Sequence, residues 1–269
     1  MTAPRRAGPR LPLLLAVPAT LAVAFLVLPL AGLLAQAPWT GLPRLLSEPA
    51  VRRALQLSLL CAGAATLLSL LLGVPLAWAL ARLRFPGRRL LRALVTLPLV
   101  LPPVVGGVGL LAAFGRRDGI LGPSLDAVGI QLPFTTAAVV LAETFVAMPF
   151  LVIAVEGALA SSDQRYEQAA ATLGASGWTT FRRITLPMAG PSVAAGAVLC
   201  FARALGEFGA TITFAGNLPG TTQTMPLAVY LALQTDPEAA IALALVLLAV
   251  SITILLLLRE RWTRPATAG

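Results

Sequence analysis

Six apolar stretches, at roughly 11–35, 54–81, 93–114, 134–158, 189–214 and 239–258, dominate the chain and leave it few ways to fold. Each is long enough to cross a hydrocarbon core of about 30 Å, which takes roughly 20 residues of helix. Inside lipid the backbone has no water to bond, so a crossing must satisfy its own N–H and C=O groups, as a helix or within a closed barrel. Continuous apolar runs without polar alternation select helices. With 58% hydrophobic and 12% charged residues among 269, the expected fold is an all-α integral membrane protein with six transmembrane helices.

Charge sets the expected topology. All 20 basic residues are arginines, and the formal net charge is +9. They sit in short clusters beside the apolar runs, not along one stripe or face, which speaks for membrane topology and against a nucleic-acid surface. With a cytoplasmic amino terminus, the inside segments hold Arg5, Arg6, Arg10, Arg82, Arg84, Arg88, Arg89, Arg92, Arg165, Arg182, Arg183, Arg259, Arg261 and Arg264, 14 in all. The outside segments hold Arg44, Arg52, Arg53, Arg116 and Arg117, five in all. The excess places both termini in the cytoplasm. Arg5, Arg6 and Arg10, an apolar run and then Ala35-Gln36-Ala37 also imitate a signal peptide, but the run exceeds the usual core of about 7 to 15 residues, so a retained first span is expected.

The composition also excludes several chemistries. Without lysine there is no Gly-Lys-Ser/Thr phosphate loop, and without histidine there is no imidazole acid–base or metal chemistry. Cys61 and Cys200 fall in different apolar stretches and read as small buried residues, with no metal site expected. No catalytic residue is assigned.

Within the third stretch, Pro98, Pro102, Pro103, Gly106, Gly107 and Gly109 cannot share one straight helix. Broken backbone of this kind either packs against small residues or lines a wet cavity, and both readings stand at this point. Three charges lie inside spans: Glu143 in the fourth, Arg203 and Glu207 in the fifth. At about 1.5 Å of rise per residue, Glu143 is roughly 13 Å and Arg203 roughly 16 Å from the outer ends. A lone charge at the bilayer centre costs about 2.5 to 3.5 kcal/mol, so such residues face a partner or a cavity. Arg203 and Glu207 share a helical face. Together with Pro102, Pro103 and Gly106, the three charges are the candidate translocation-pathway residues, set against a role confined to orienting helices. Thr211, Thr213, Asn217, Thr221, Thr222 and Gln223 offer neutral donors near the outer end of the fifth span, although plain solvation of an outside loop is the favoured expectation.

The longest inside segment contains EQAAATLGASGWTTFRRITLP, from Glu167 to Pro187. Asp163 is placed to cap a short helix of good formers with small side chains, and Gly174 to end it in a left-handed conformation. Gln168, Ala169 and Ala170, then Gly174, Ile184, Leu186 and Pro187, resemble the "EAA" loop of binding-protein-dependent ABC importer permeases. The spacings match the family's: three residues between Ala170 and Gly174, nine from there to Ile184, and one before Leu186-Pro187. The family's glutamate position is Gln168 here, with Glu167 just before it. On a helix, adjacent residues point about 100° apart, so the carboxylate has moved to a different face. An ordinary amphipathic helix on the membrane surface would use Arg165, Trp178, Arg182 and Arg183 equally well.

Residues 203–230 and 97–111 look like the molybdate permeases of the sulfate and molybdate branch. The resemblance covers about 54–258 and implies a type I importer permease (MetI-like) fold. It further implies a homodimer in membrane lipid, with two ABC ATPase subunits and an extracytoplasmic oxyanion-binding protein. ATP and magnesium would be bound only in the ATPase, so this chain would hold no cofactor. The implied organisation is an amino-terminal tail, first span and outside loop over 1–53, a permease core over 54–258 with its loop at about 159–188, and a cytoplasmic tail over 259–269. The implied location is a bacterial or archaeal cell membrane. Sulfate and tungstate are the alternative cargoes. A stand-alone secondary transporter or channel would favour an internal repeat, which the sequence lacks, and a membrane-embedded enzyme lacks a polar intramembrane motif.

Overall fold

The first crossing is a single helix, α1 (Leu13–Ala35), followed by a short α2 (Leu42–Ser47) and a 34-residue α3 (Pro49–Arg82). The computed structural model describes residues 13–262. Arg5, Arg6, Arg10 and Arg264 lie outside them, as do the side chains of Arg259 and Arg261, so the charges of both tails rest on sequence alone.

Where one third crossing was expected, there are two helices, α4 (Arg88–Val100) and α5 (Pro103–Phe114). Adjacent prolines cause the break. Each drives the residue before it out of helical geometry, and Leu101 and Pro102 both stand at ψ 130°. Pro103 then opens α5 at a position where no N–H is needed. Beyond a short α6 (Gly122–Ala127) comes the fourth crossing, α7 (Thr136–Ser161). Its first turn is capped by Thr135, whose Oγ1 accepts from the Ala138 N–H at 3.2 Å.

The segment after α7 forms α8 (Arg165–Thr172) and α9 (Gly177–Thr180), and then a π turn (Phe181–Thr185) runs without interruption into α10 (Leu186–Leu205). The fifth crossing thus spans Gly177–Leu205, beginning well before the expected residue 189. It also ends earlier, because Gly206–Phe208 separate α10 from α11 (Gly209–Phe214). Two further helices close the described chain, α12 (Met225–Thr235) and α13 (Pro237–Trp262), the sixth crossing. Among the described residues five helices are therefore long and apolar enough to cross a membrane, and the third crossing is the broken pair α4–α5.

The core forms where α3, α7 and α10 meet. In lipid, helices gain little from burying apolar surface against one another, so close approach depends on small residues. Leu151 of α7 is fully buried in a slot with a glycine on either side. A Cβ on Gly73 of α3 would stand 3.3 Å from its Cδ2, and one on Gly196 of α10 would stand 3.0 Å from its Cδ1. The same device joins α5 to α11. A Cβ on Gly107 would come within 2.6 Å of Thr213 Cβ and 2.9 Å of the Ala210 carbonyl oxygen, and one on Gly209 within 2.9 Å of Pro103 Cβ. The broken third crossing is thus packed by small residues against the helix that follows the break in the fifth.

Gly107→Ala is expected to destabilise the detergent-solubilised protein by about 1–3 kcal/mol, because the clash is with backbone. Gly109→Ala enters open space and should melt like the wild type. Equal melting temperatures for the two variants would show that α5 and α11 are not pressed together.

Candidate functional site

The motif residues divide between two faces of α8. Asp163 Oδ1 accepts from the Arg165 N–H at 2.9 Å and helps open the helix. Its end is a Schellman motif: the Gly174 N–H donates to the Ala171 carbonyl and the Ala175 N–H to the Ala170 carbonyl, both at 3.0 Å, with Gly174 at φ +81°. The left-handed glycine expected from the sequence is present, and a β-carbon there would be strained. Tyr166, Gln168, Ala169 and Leu173 are exposed, Leu173 to 88%, whereas Ala170 is buried and Glu167 turns inward.

Glu167 meets Arg82, the last residue of α3. Arg82 Nη2 and Nε donate to Glu167 Oε1 at 3.0 and 3.3 Å, and Thr185 Oγ1 donates to the same oxygen at 2.9 Å. The rest of the guanidinium closes the carboxyl end of α7: Nη1 donates to the Leu159 carbonyl and Nη2 to Ser162 Oγ, each at 2.7 Å. One cation thereby joins α3, α7, α8 and the π turn, with side chains only 8% (Arg82) and 20% (Glu167) exposed. Charge-assisted and largely desolvated, such an arrangement is rigid as long as every partner is present. Phe181 of the π turn adds an aromatic contact to α3, edge-on to Trp78 at 6.0 Å, and stacks on Trp178 at 5.8 Å.

The π turn has a local cause. Pro187 has no N–H to return to the Arg183 carbonyl, and the Leu186 N–H reaches back five residues to the Phe181 carbonyl. Leu186 and Pro187 therefore do not stop a helix; they reset its winding where it enters α10. Ile184 is half-buried on this turn, beside fully buried Thr185.

At the far end of α10, Arg203 Nη1 lies 2.7 Å from Glu207 Oε2, an ion pair without hydrogen-bond alignment. The other oxygen, Glu207 Oε1, accepts from the Ala210 N–H at 2.9 Å and so caps α11 across the break. Glu143 is 1% exposed and makes no ion pair within 4 Å among the described residues, and its Oε2 has no hydrogen-bond partner. Arg203 and Glu207 are thus paired, and Glu143 forms no ion pair with Arg203 among the described residues. Gly106 packs beneath Phe145, 3.0 Å from where a Cβ would sit, and Pro102 forms the break itself.

The loop expected to be plainly solvated is largely packed inside. Thr211 and Thr222 are fully buried and Gln223 is 9% exposed. Thr222 Oγ1 accepts from the Leu218 N–H at 2.9 Å, Thr136 Oγ1 donates to the Thr221 carbonyl at 2.8 Å, and the Met225 N–H donates to Ser58 Oγ at 2.7 Å. Solvation accounts only for Thr221, which is exposed. Backbone groups of Thr221 and Met225 hold the return from α11 to α12 against α7 and α3, whereas Thr211 Oγ1, Asn217 Oδ1 and Thr224 Oγ1 are buried without a hydrogen-bond partner.

The profile described as binding-protein-dependent transport system inner membrane component matches residues 69–265. The molybdenum transport system permease protein of Mycobacterium tuberculosis (strain ATCC 25618 / H37Rv) is 51% identical over 224 residues, 83% of this chain and 84% of that protein. The sulfate transport system permease protein of Escherichia coli (strain K12) is 39% identical over 212 residues, 78% of this chain and 76% of that protein. Among solved structures, a chain of the bacterial alginate ABC transporter, in complex with alginate pentasaccharide-bound periplasmic protein, superposes with a TM-score of 0.74 at 20% identity over 96% of each chain. That likeness is one of fold, and it is the ABC importer permease fold expected from the sequence.

Removing one member of a buried charge pair typically costs about 3–5 kcal/mol. Arg82→Ala should lose that much and make the loop around α8 sensitive to protease, while Gln168→Ala, exposed, should stay within about 0.5 kcal/mol of wild type. Comparable losses for the two would contradict the inward role of Glu167.

Proposed function

The chain belongs to the binding-protein-dependent transport system inner membrane component family, and on that premise we propose that it forms the membrane pathway of an ATP-driven importer for molybdate. The observation that supports this cargo is the 51% identity with a molybdenum permease against 39% with a sulfate permease, each over more than 200 residues. Sulfate remains the second reading for the same reason, and tungstate shares the tetrahedral dianion chemistry. In the proposed assembly two copies of this chain form the pathway, two ATPase subunits bind from the cytoplasm, and an extracytoplasmic protein delivers the oxyanion. Both termini lie on the ATPase side.

The proposed contact with the ATPase is the outer face of α8: Gln168 and Ala169 between Tyr166 and Leu173, all exposed. Small side chains allow close approach, and the two larger ones supply apolar area outside the bilayer. Ala170 and Glu167 face the other way and hold the helix to the spans. Gly174, Ile184, Leu186 and Pro187 set the turn and the entry into α10. Motion of the ATPase would thus reach α3, α7 and α10 at once, through Arg82 and Thr185. Coupling requires that nucleotide-driven closure favour one orientation of the pathway, and a rigid joint between α8 and three spans meets that requirement.

The oxyanion would be selected mainly before it reaches this chain, since a dianion held tightly in the membrane could not leave. Glu143, Arg203, Glu207, Pro102, Pro103 and Gly106 are proposed to shape the pathway from behind: Arg203–Glu207 and Pro102–Pro103 hold the two breaks, and Gly106 admits Phe145. Arg203, 30% exposed on its side chain, is the one cation among them placed to meet an anion.

In proteoliposomes containing the chain, its ATPase and its binding protein, molybdate-loaded binding protein should stimulate ATP hydrolysis more than sulfate-loaded protein. Equal or greater stimulation by sulfate would overturn the cargo. Gly174→Leu, which forces a branched side chain to φ +81°, should cut stimulated transport at least ten-fold while leaving the spans folded; undiminished transport would remove α8 from the coupling route.

A further inference from the structure

Between α3 and α4 the chain turns through Leu83–Gly87, and Gly87, at φ +85°, admits it to α4 in a left-handed conformation. With no side chain, Gly87 cannot cap the first-turn N–H groups, and that turn carries no acidic residue. It carries Arg88 and Arg89 instead. With Arg84, Phe85, Gly87 and Arg92 they line a cleft of about 440 Å³. Four cations and the positive end of a helix converge there, an arrangement that repels itself unless an anion is present.

Only one of these arginines is answered. Arg92 pairs with Glu156, its Nε donating at 2.9 Å. Among the described residues no acidic side chain forms an ion pair with Arg84, Arg88 or Arg89. Arg88 Nε is buried without any hydrogen-bond partner. Other arginines, such as Arg117, Arg182 and Arg183, also lack a carboxylate among the described residues; what sets Arg84, Arg88 and Arg89 apart is that they share one cleft.

From the cleft, Leu90, Leu94 and Leu97 run along one side of α4 and are 65%, 54% and 49% exposed. The face that packs on the core is a different one, carried by Leu91 and Val95. A ligand that answers both features has an anionic head and an apolar tail. We propose that the cleft at the start of α4 binds the phosphate headgroup of an anionic phospholipid, whose acyl chains lie along the leucine stripe. Basic clusters where a span leaves the membrane attract such lipids with about five-fold preference per charge, and three uncompensated arginines give roughly a hundred-fold. A free tetrahedral oxyanion shares the headgroup chemistry, but it has no use for the leucines.

The test uses the chain with its ATPase subunits, exchanged into vesicles of phosphatidylcholine containing phosphatidylglycerol, with retained lipid counted by native mass spectrometry. Wild type should retain phosphatidylglycerol in preference to phosphatidylcholine, and the preference should weaken with salt. The triple variant Arg84→Gln, Arg88→Gln, Arg89→Gln should lose roughly a hundred-fold in that preference, and the corresponding lysine triple should keep most of it. If the triple glutamine variant does not assemble, Arg88→Gln alone should show about a five-fold loss. An unchanged preference in the glutamine variants overturns the proposal. So does stabilisation by inorganic phosphate in pure phosphatidylcholine that equals that by phosphatidylglycerol and disappears with the arginines, which would make the cleft a free-anion site. Loss of the ATPase subunits from the triple variant with lipid retention intact would assign the arginines to the protein partner.

Discussion

Arg82 brings a positive charge to a place where 8% of its side chain meets solvent, and what answers that charge decides how the ends of three spans beside α8 are arranged. Four of its five N–H donors are spread over a carboxylate from α8 and a carbonyl and a hydroxyl at the end of α7. Glu167 in turn has a second donor in Thr185. A lysine could neutralise Glu167, but it could not also reach the Leu159 carbonyl and Ser162 in one plane. The short α8 has few other attachments to the spans. Its position therefore depends on this one ion pair, on buried Ala170 and on the turn at Gly174, while its opposite face stays free.

Much of this architecture was legible because it follows from local rules. Apolar runs set the crossings, and paired prolines set the break in the third. The spacing from Gln168 to Pro187 marked a distinct segment between two crossings and put Gly174 at the end of α8. Arg82 was not legible as anything but one inside arginine among many, since its partner is 85 positions away and no periodicity links them. Glu167 was visible as a displaced carboxylate, but only the packing shows that it faces inward and Gln168 outward. The loop from Thr211 to Thr224 was misjudged for a related reason: hydroxyls in a Gly- and Pro-containing stretch look solvated unless one knows that Phe214, Met225 and Leu227 bury themselves alongside.

The third and fifth crossings are interrupted in different ways yet lean on each other. Prolines break the third, and the Gly206–Phe208 segment breaks the fifth, where Glu207 bridges the gap by holding Arg203 on one side and the Ala210 N–H on the other. Gly107 and Gly209 then let α5 and α11 meet almost backbone to backbone. Broken helices persist in lipid only where protein satisfies the freed groups, and here each break supplies the packing for the other.

The unbroken run from Gly177 to Leu205 has a mechanical corollary. At about 1.5 Å per residue its 29 residues measure roughly 43 Å, well beyond a hydrocarbon core of about 30 Å. Thr185, hydrogen-bonded to Glu167, marks a pivot roughly 12 Å from one end and roughly 30 Å from the other. The helix is a lever with unequal arms, so a tilt that moves Gly177 by one unit carries Leu205, and the break beyond it, about two and a half times as far.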